Sequence, residues 1–126
     1  MAGLTLDAGA LIDAERAGRM TALIVGEAIA RGESITVPAG VLAQVWRSDR
    51  NARLALFLRN CLVEPLTETQ AKGVGRLLAR SGTSDIVDAS LVLSAASRGD
   101  VIVSSDAADI QHLTALVTGV AGILLM

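Results

Sequence analysis

Short apolar runs alternating with longer helix-forming segments predict an α/β fold, with a central, mainly parallel sheet of about five strands flanked by helices. The runs near residues 3–6, 34–37, 62–65, 101–104 and 120–125 are too short for helices. Most are rich in Val, Ile and Leu, as strands buried on both faces are. Gly18, Gly32 and Gly99 fall between segments, where helix ends are expected.

Taken in order, the first strand is followed by segments 8–17 and 20–31, both composed of helix formers and closed by Gly18 and Gly32. After the second strand, Pro38 suits the first turn of a helix on which Val41, Leu42, Val45 and Trp46 recur at helical spacing. Residues 47–51 form a polar break. A helix over 52–60 leads to the third strand, and Thr67 begins another that runs to the neighbourhood of Arg80. The loop Ser81-Gly82-Thr83-Ser84 offers capping residues to a helix over 85–98, which Gly99 terminates. The strand at 101–104, a short helix over 107–116 and the strand at 120–125 complete the chain.

At 126 residues the chain can bury one core and has no room for a second, so a single domain over 1–126 is expected. With 52% apolar residues, and Trp46 and Phe57 as its only aromatics, that core must be aliphatic. The formal charge of −2 excludes a global basic field, so an anionic ligand has to be captured by local groups. Ten Arg stand against one Lys, Lys72; Arg suits bidentate phosphate contacts, although a skewed composition produces the same imbalance. The lone Cys61 excludes an intrachain disulfide framework and a cysteine-based zinc site, in keeping with a reducing, cytoplasmic setting. No basic leader precedes the early carboxylate of Asp7, so the mature chain is expected to begin at Met1. Residues 110–126 carry no formal charge, but their polar residues and glycines interrupt a stretch shorter than the ~20 residues of a spanning helix.

Three aspartates stand at or just past the points where a strand-like run gives way to a helix: Asp7 after Leu4-Thr5-Leu6, Asp88 within Thr83-Ser84-Asp85-Ile86-Val87-Asp88-Ala89, and Asp106 after Val101-Ile102-Val103-Ser104-Ser105. In a parallel sheet the C-terminal strand ends share one edge, and side chains just beyond them can converge. Carboxylates gathered that closely repel one another and call for a cation. The plainer reading is capping, since Asp7, Asp85 and Asp106 all occupy N-cap positions and a capping Asp contributes ~1 kcal/mol without any chemistry. Yet caps can equally be Ser, Thr or Asn, whereas a magnesium-type site demands anionic oxygens. Asp85 and Asp88 lie three apart on one helix face, and Asp106 and Asp109 repeat that spacing. Asp109 is read as a first-turn charge with a possible place at the site. Asp13, Glu15, Glu27, Glu33, Asp49, Glu64, Glu68 and Asp100 are assigned to solvated surfaces.

With these residues in view the chain resembles a PIN-domain ribonuclease of the VapC toxin type. Leu6-Asp7-Ala8-Gly9-Ala10-Leu11-Ile12 looks like the first motif of that family, Asp88-Ala89-Ser90-Leu91-Val92-Leu93-Ser94-Ala95 the third, and Val103-Ser104-Ser105-Asp106 the fourth. The resemblance implies a PIN-like three-layer sandwich, an acidic site of Asp7, Asp88 and Asp106 binding Mg²⁺ or Mn²⁺, and endonucleolytic cleavage of RNA. It also implies a small VapB-like antitoxin partner and a homodimer. The departure is in the second motif, where Gln44 occupies the usual place of a glutamate on the helix after the second strand. A carboxamide offers an oxygen but no charge, and accepts no proton near neutral pH. Weaker metal binding is expected unless Asp85 or Asp109 supplies the missing charge.

If the enzyme reading holds, Ser104 or Ser105 is placed to hydrogen-bond Asp106 or a substrate phosphate. Arg47, Arg50 and Arg53, spaced by three, are RNA-contact candidates whose ordinary reading is a solvated face. Trp46 and Phe57 are expected in the core or at a partner interface, and His112 is expected to be structural. The alternative from another class is a catalytically weak or inactive PIN-like module that binds RNA or protein, supported by Gln44. A receiver-like domain would need a lysine after a late strand, and a two-aspartate phosphatase an acid where Gly9 stands; both are disfavoured.

Overall fold

Five strands, all parallel, lie in the order β3-β2-β1-β4-β5 in a computed structural model that describes residues 2–126. The elements run β1 (Leu4–Leu6), α1 (Ala8–Glu15), α2 (Arg19–Ala30), β2 (Ile35–Pro38), α3 (Ala39–Val45), α4 (Ala52–Leu58), β3 (Leu62–Glu64), α5 (Glu68–Ser81), α6 (Ile86–Arg98), β4 (Val101–Ser104), α7 (Ala107–Thr114) and β5 (Gly122–Leu125). Every expected strand and helix is present, and the sheet is wholly rather than mainly parallel. Pro38 closes β2 as its last residue and stands as N-cap of α3, one position earlier than a first-turn proline.

Alternation along the strands explains the three layers. Thr5, Thr36 and Ile102 share the face covered by α6, to which Thr5 is hydrogen-bonded, while Leu4, Leu6, Ile35, Val37 and Val103 point to the other, where α1 and α2 pack. All of these except Leu4 are no more than 2% exposed, which is why the strands read as continuous apolar runs. The core is aliphatic, as the composition requires; Trp46 and Phe57 pack on it from partly buried positions.

Helix ends follow local chemistry. Thr67 and Gln70 form a reciprocal capping box on α5, and Gly99 ends α6 in the left-handed conformation at φ 70°. Beside Gly99, the sheet face under α6 carries an ion-pair network. Arg98 Nε donates to Asp100 Oδ2 at 2.9 Å, and its Nη2 donates to Thr5 Oγ1 at 3.0 Å and Ser94 Oγ at 2.8 Å; Nη1 pairs with Glu64. Asp100 also accepts from Thr5 Oγ1 and from the backbone N–H of Gly3, at 2.8 and 3.1 Å. This corrects the assignment of Asp100 and Glu64 to solvated surfaces: Asp100 is 2% exposed because Arg98 accompanies it inward, and Glu64 is half-buried against the same guanidinium.

Candidate metal and nucleic-acid site

β1 and β4 are neighbours from which the chain departs in opposite directions across the sheet, so the segments following them open a crevice at the C-terminal edge. The register pairs Leu6 with Val103, and the backbone N–H of Asp7 donates to Val103 O at 3.0 Å. Asp7 and Asp106 therefore leave adjacent strands side by side. Asp88 arrives from the first turn of α6, and Gln44 from α3. All four line one cavity of about 250 Å³, together with Gly9, Ser105 and Asp109 and an apolar wall that includes Ile12, Val41 and Leu91.

The aspartates differ in what else they do. Asp7 Oδ1 accepts the Ala10 N–H at 3.2 Å and Asp85 Oδ1 accepts the Asp88 N–H at 2.9 Å, so both cap their helices as the positional reading anticipates. Asp106 occupies the N-cap of α7 but makes no capping bond. Its backbone is instead held by the buried Ser104, whose Oγ donates to Asp106 O at 2.9 Å and accepts from Asp106 N at 3.0 Å. Ser104 thus fixes the main chain of Asp106, leaving the carboxylate to the cavity.

Asp88 has the most perturbed acidity of the group. Its carboxyl is pushed up to about 6, first by burial and then by the charges of Asp85, Asp109, Asp7 and Asp106. No Lys, Arg or His lines the 250 Å³ cavity among the described residues. Asp85 stands outside that cavity, in an adjoining one of about 260 Å³ that shares Asp88 and Asp109 and adds Thr83, Ser84 and His112. His112 Nε2 is 3.1 Å from Ser81 O, a structural contact, but the ring also faces this second acidic lobe, a placement that the sequence did not reveal.

The donor set is chemically suited to a hard divalent cation: anionic oxygens, no competing cation and an open mouth. Among the described residues no three His, Cys, Asp or Glu side chains stand close enough to share one ion, so an ion held in these positions would meet fewer than three carboxylates, with Gln44 or water as the remaining ligands.

The arginine stripe is not in the cavity. Arg47 Nη1 folds back on Ala43 O and Trp46 O at 2.9 and 3.1 Å, Arg53 reaches Glu15 O at 3.3 Å, and Arg50 is exposed. A separate apolar cavity of about 110 Å³ lies between the end of β3, α5 and α6; its one acid, Glu64, is already satisfied by Arg98 and Gln70. The sequence reading did not anticipate the contact of Gly9 with Ser105. A Cβ on Gly9 would stand 1.9 Å from Ser105 Oγ, so a glycine is required there.

No protein-family model matches the chain. Nor does any curated protein sequence. Solved structures do. A chain from the crystal structure of VapBC2 from Rickettsia felis bound to a DNA fragment from its promoter superposes with a TM-score of 0.67 at 17% identity, covering 86% of this chain and 90% of that one. PAE2754 from Pyrobaculum aerophilum superposes with a TM-score of 0.59 at 19% identity, covering 96% and 89%. At such identities the likeness is one of fold: the chain has the PIN-like three-layer α/β sandwich that its sequence resembles, with the acidic cavity at the carboxyl edge of the sheet.

Proposed function

We propose that this protein is a metal-dependent endoribonuclease, the toxin-like half of a VapBC-like pair, which hydrolyses RNA phosphodiesters with Mg²⁺ or Mn²⁺ held by Asp7, Asp88 and Asp106. The observation that carries the reading is the half-buried Asp88, with four further carboxylates acting on it and no cationic side chain beside it in the cavity among the described residues. Carboxyls raised in this way are concentrated at functional sites, and here the geometry agrees: Asp7, Asp88, Asp106 and Asp109 line one cavity at the carboxyl edge of the sheet.

When bound, a divalent ion lowers the pKa of a coordinated water and offsets charge on the scissile phosphate. The chain's own residues prepare the rest. The Ala10 N–H holds the Asp7 carboxylate in place, and the Ser104 clamp fixes the main chain of Asp106, whose side chain lines the cavity. Ile12, Val41 and Leu91 give one wall that sheds water and strengthens the electrostatics within. Gln44 offers its amide oxygen or N–H but takes up no proton, so proton transfer is left to the aspartates. Asp109 adds a carboxylate to the same cavity and Asp85 acts on Asp88 from the adjoining lobe, but neither occupies the position on α3 that Gln44 holds.

Gln44 is also the observation that favours a second reading, a PIN-like module that binds RNA or protein without cutting. Purified protein incubated with structured RNAs in Mg²⁺ and in Mn²⁺ separates the two. Cutting that EDTA abolishes and Asp88→Asn removes supports the nuclease; binding without cutting supports the module. The VapBC2 likeness makes a VapB-like antitoxin the proposed partner, and the family resemblance of the sequence makes a homodimer the proposed assembly, with Leu23, Leu56 and Leu62, each more than 60% exposed, as apolar surface available to either. No helix among the described residues is long and apolar enough to cross a membrane, and a cytoplasmic location is proposed.

A further inference from the structure

A cavity crowded with carboxylates poses a problem for an anionic substrate: carboxylates accept hydrogen bonds and donate none when ionised. Among the described residues lining the cavity, only Gln44 and Ser105 carry a side-chain donor. Ser105 has a particular station. Its Oγ lies 1.9 Å, and its Cβ 2.6 Å, from the point where a side chain on Gly9 would begin. That same point is 3.3 Å from Asp7 Oδ1. The hydroxyl therefore fills the place of a side chain on the first turn of α1, beside Asp7, although it belongs to the segment after β4. Ser104 pins that segment through the main chain of Asp106, and Ser105 Oγ makes no hydrogen bond to any described residue.

Building on the nuclease reading above, we propose that Ser105 is a positioning residue, whose hydroxyl donates to a non-bridging oxygen of the RNA phosphate and seats it against Asp7 and Asp106. Gly9 is its counterpart: the absence of a side chain there gives the hydroxyl its room. A hydrogen bond to a charged group is worth enough to change binding or rate by about tenfold when removed.

The geometry supplies its own rescue. A hydroxyl on residue 9 would start from a Cβ 1.9 Å from the present Ser105 Oγ, so Gly9→Ser combined with Ser105→Gly moves the donor across the gap to nearly the same location. Cleavage of structured RNA in Mg²⁺, affinity for a labelled RNA hairpin in Ca²⁺, Mn²⁺ affinity by calorimetry and thermal melting are compared for wild type, Ser105→Ala, Gly9→Ser and the double variant. The expected result is a loss of about tenfold in kcat/KM and of severalfold in hairpin affinity for Ser105→Ala, with melting and Mn²⁺ affinity unchanged. Gly9→Ser alone is impaired because two side chains compete for one space, and the double variant recovers most of the wild-type cleavage and affinity. Wild-type hairpin affinity in Ser105→Ala, a double variant no better than the singles, or a loss of Mn²⁺ affinity as large as the loss of cleavage overturns the assignment. A wild type that cuts no RNA removes the nuclease reading, and the hairpin affinities then decide Ser105 alone.

Discussion

Asp100 and Asp88 are both carboxylates drawn away from solvent, and they are treated in opposite ways. Asp100, at the amino edge of β4, receives a guanidinium, a hydroxyl and a backbone N–H. Asp88, at the carboxyl edge of the sheet, is surrounded by four more acids. The first arrangement is closed by the chain itself and fastens α6 to β1 and β4. The second is left open: among the described residues no Lys, Arg or His lines that cavity, and the divalent ion proposed above is the counter-ion whose chemistry fits it.

The sharpest way to break the contrast is to remove the internal cation. Arg98→Met leaves Asp100 buried and unpaired, and should cost about 3 kcal/mol in urea unfolding. Adding Asp100→Asn should recover part of that loss. On the open side, Asp7→Asn should lower RNA cleavage by about a hundredfold or more, since even residues that only orient metal ligands cost ten- to a hundredfold. Titrating Mn²⁺ to about a hundred times its Kd should stabilise wild type by about 2.7 kcal/mol, measured as a rise in melting temperature that Asp88→Asn largely abolishes.

A smaller effect concerns the ion-free protein. Because the Asp88 carboxyl is raised to about 6, the folded state holds its proton more tightly than the unfolded chain does. Stability from this group is complete below about pH 4 and is lost as pH rises through 6. Asp88→Asn should therefore stabilise the ion-free protein above pH 7 by about 1 kcal/mol, allowing for solvent screening, and change nothing at pH 4. The mildest test is Gln44→Glu, expected to raise Mg²⁺ affinity and cleavage severalfold; a variant no better than wild type shows that the missing charge at this position does not limit metal binding.

Much of this contrast was hidden in the sequence. Strand and helix positions were legible, because apolar run length and caps such as Thr67 and Gly99 are local signals. Asp7 and Asp106 were legible as neighbours once a parallel sheet was assumed. What local signals could not carry was the partnership of Thr5 with Arg98, which lie 93 positions apart, or the meeting of Gly9 with Ser105. Asp100 looked like any polar residue after a glycine, and only its distant partners made it an interior one. Asp106 looked like a cap by position, and only the structure shows that its side chain makes no capping bond while Ser104 holds its main chain.

That last detail separates two duties that Asp7 combines. Asp7 holds its helix as well as facing the cavity, so changing it disturbs both, whereas Ser104 has relieved Asp106 of structural work. Asp106→Asn should therefore give a fully folded but inert protein. On the nuclease proposal, such a variant is the bait with which to capture substrate: an RNA that it retains and wild type cuts supports the proposal, and retention of none counts against it.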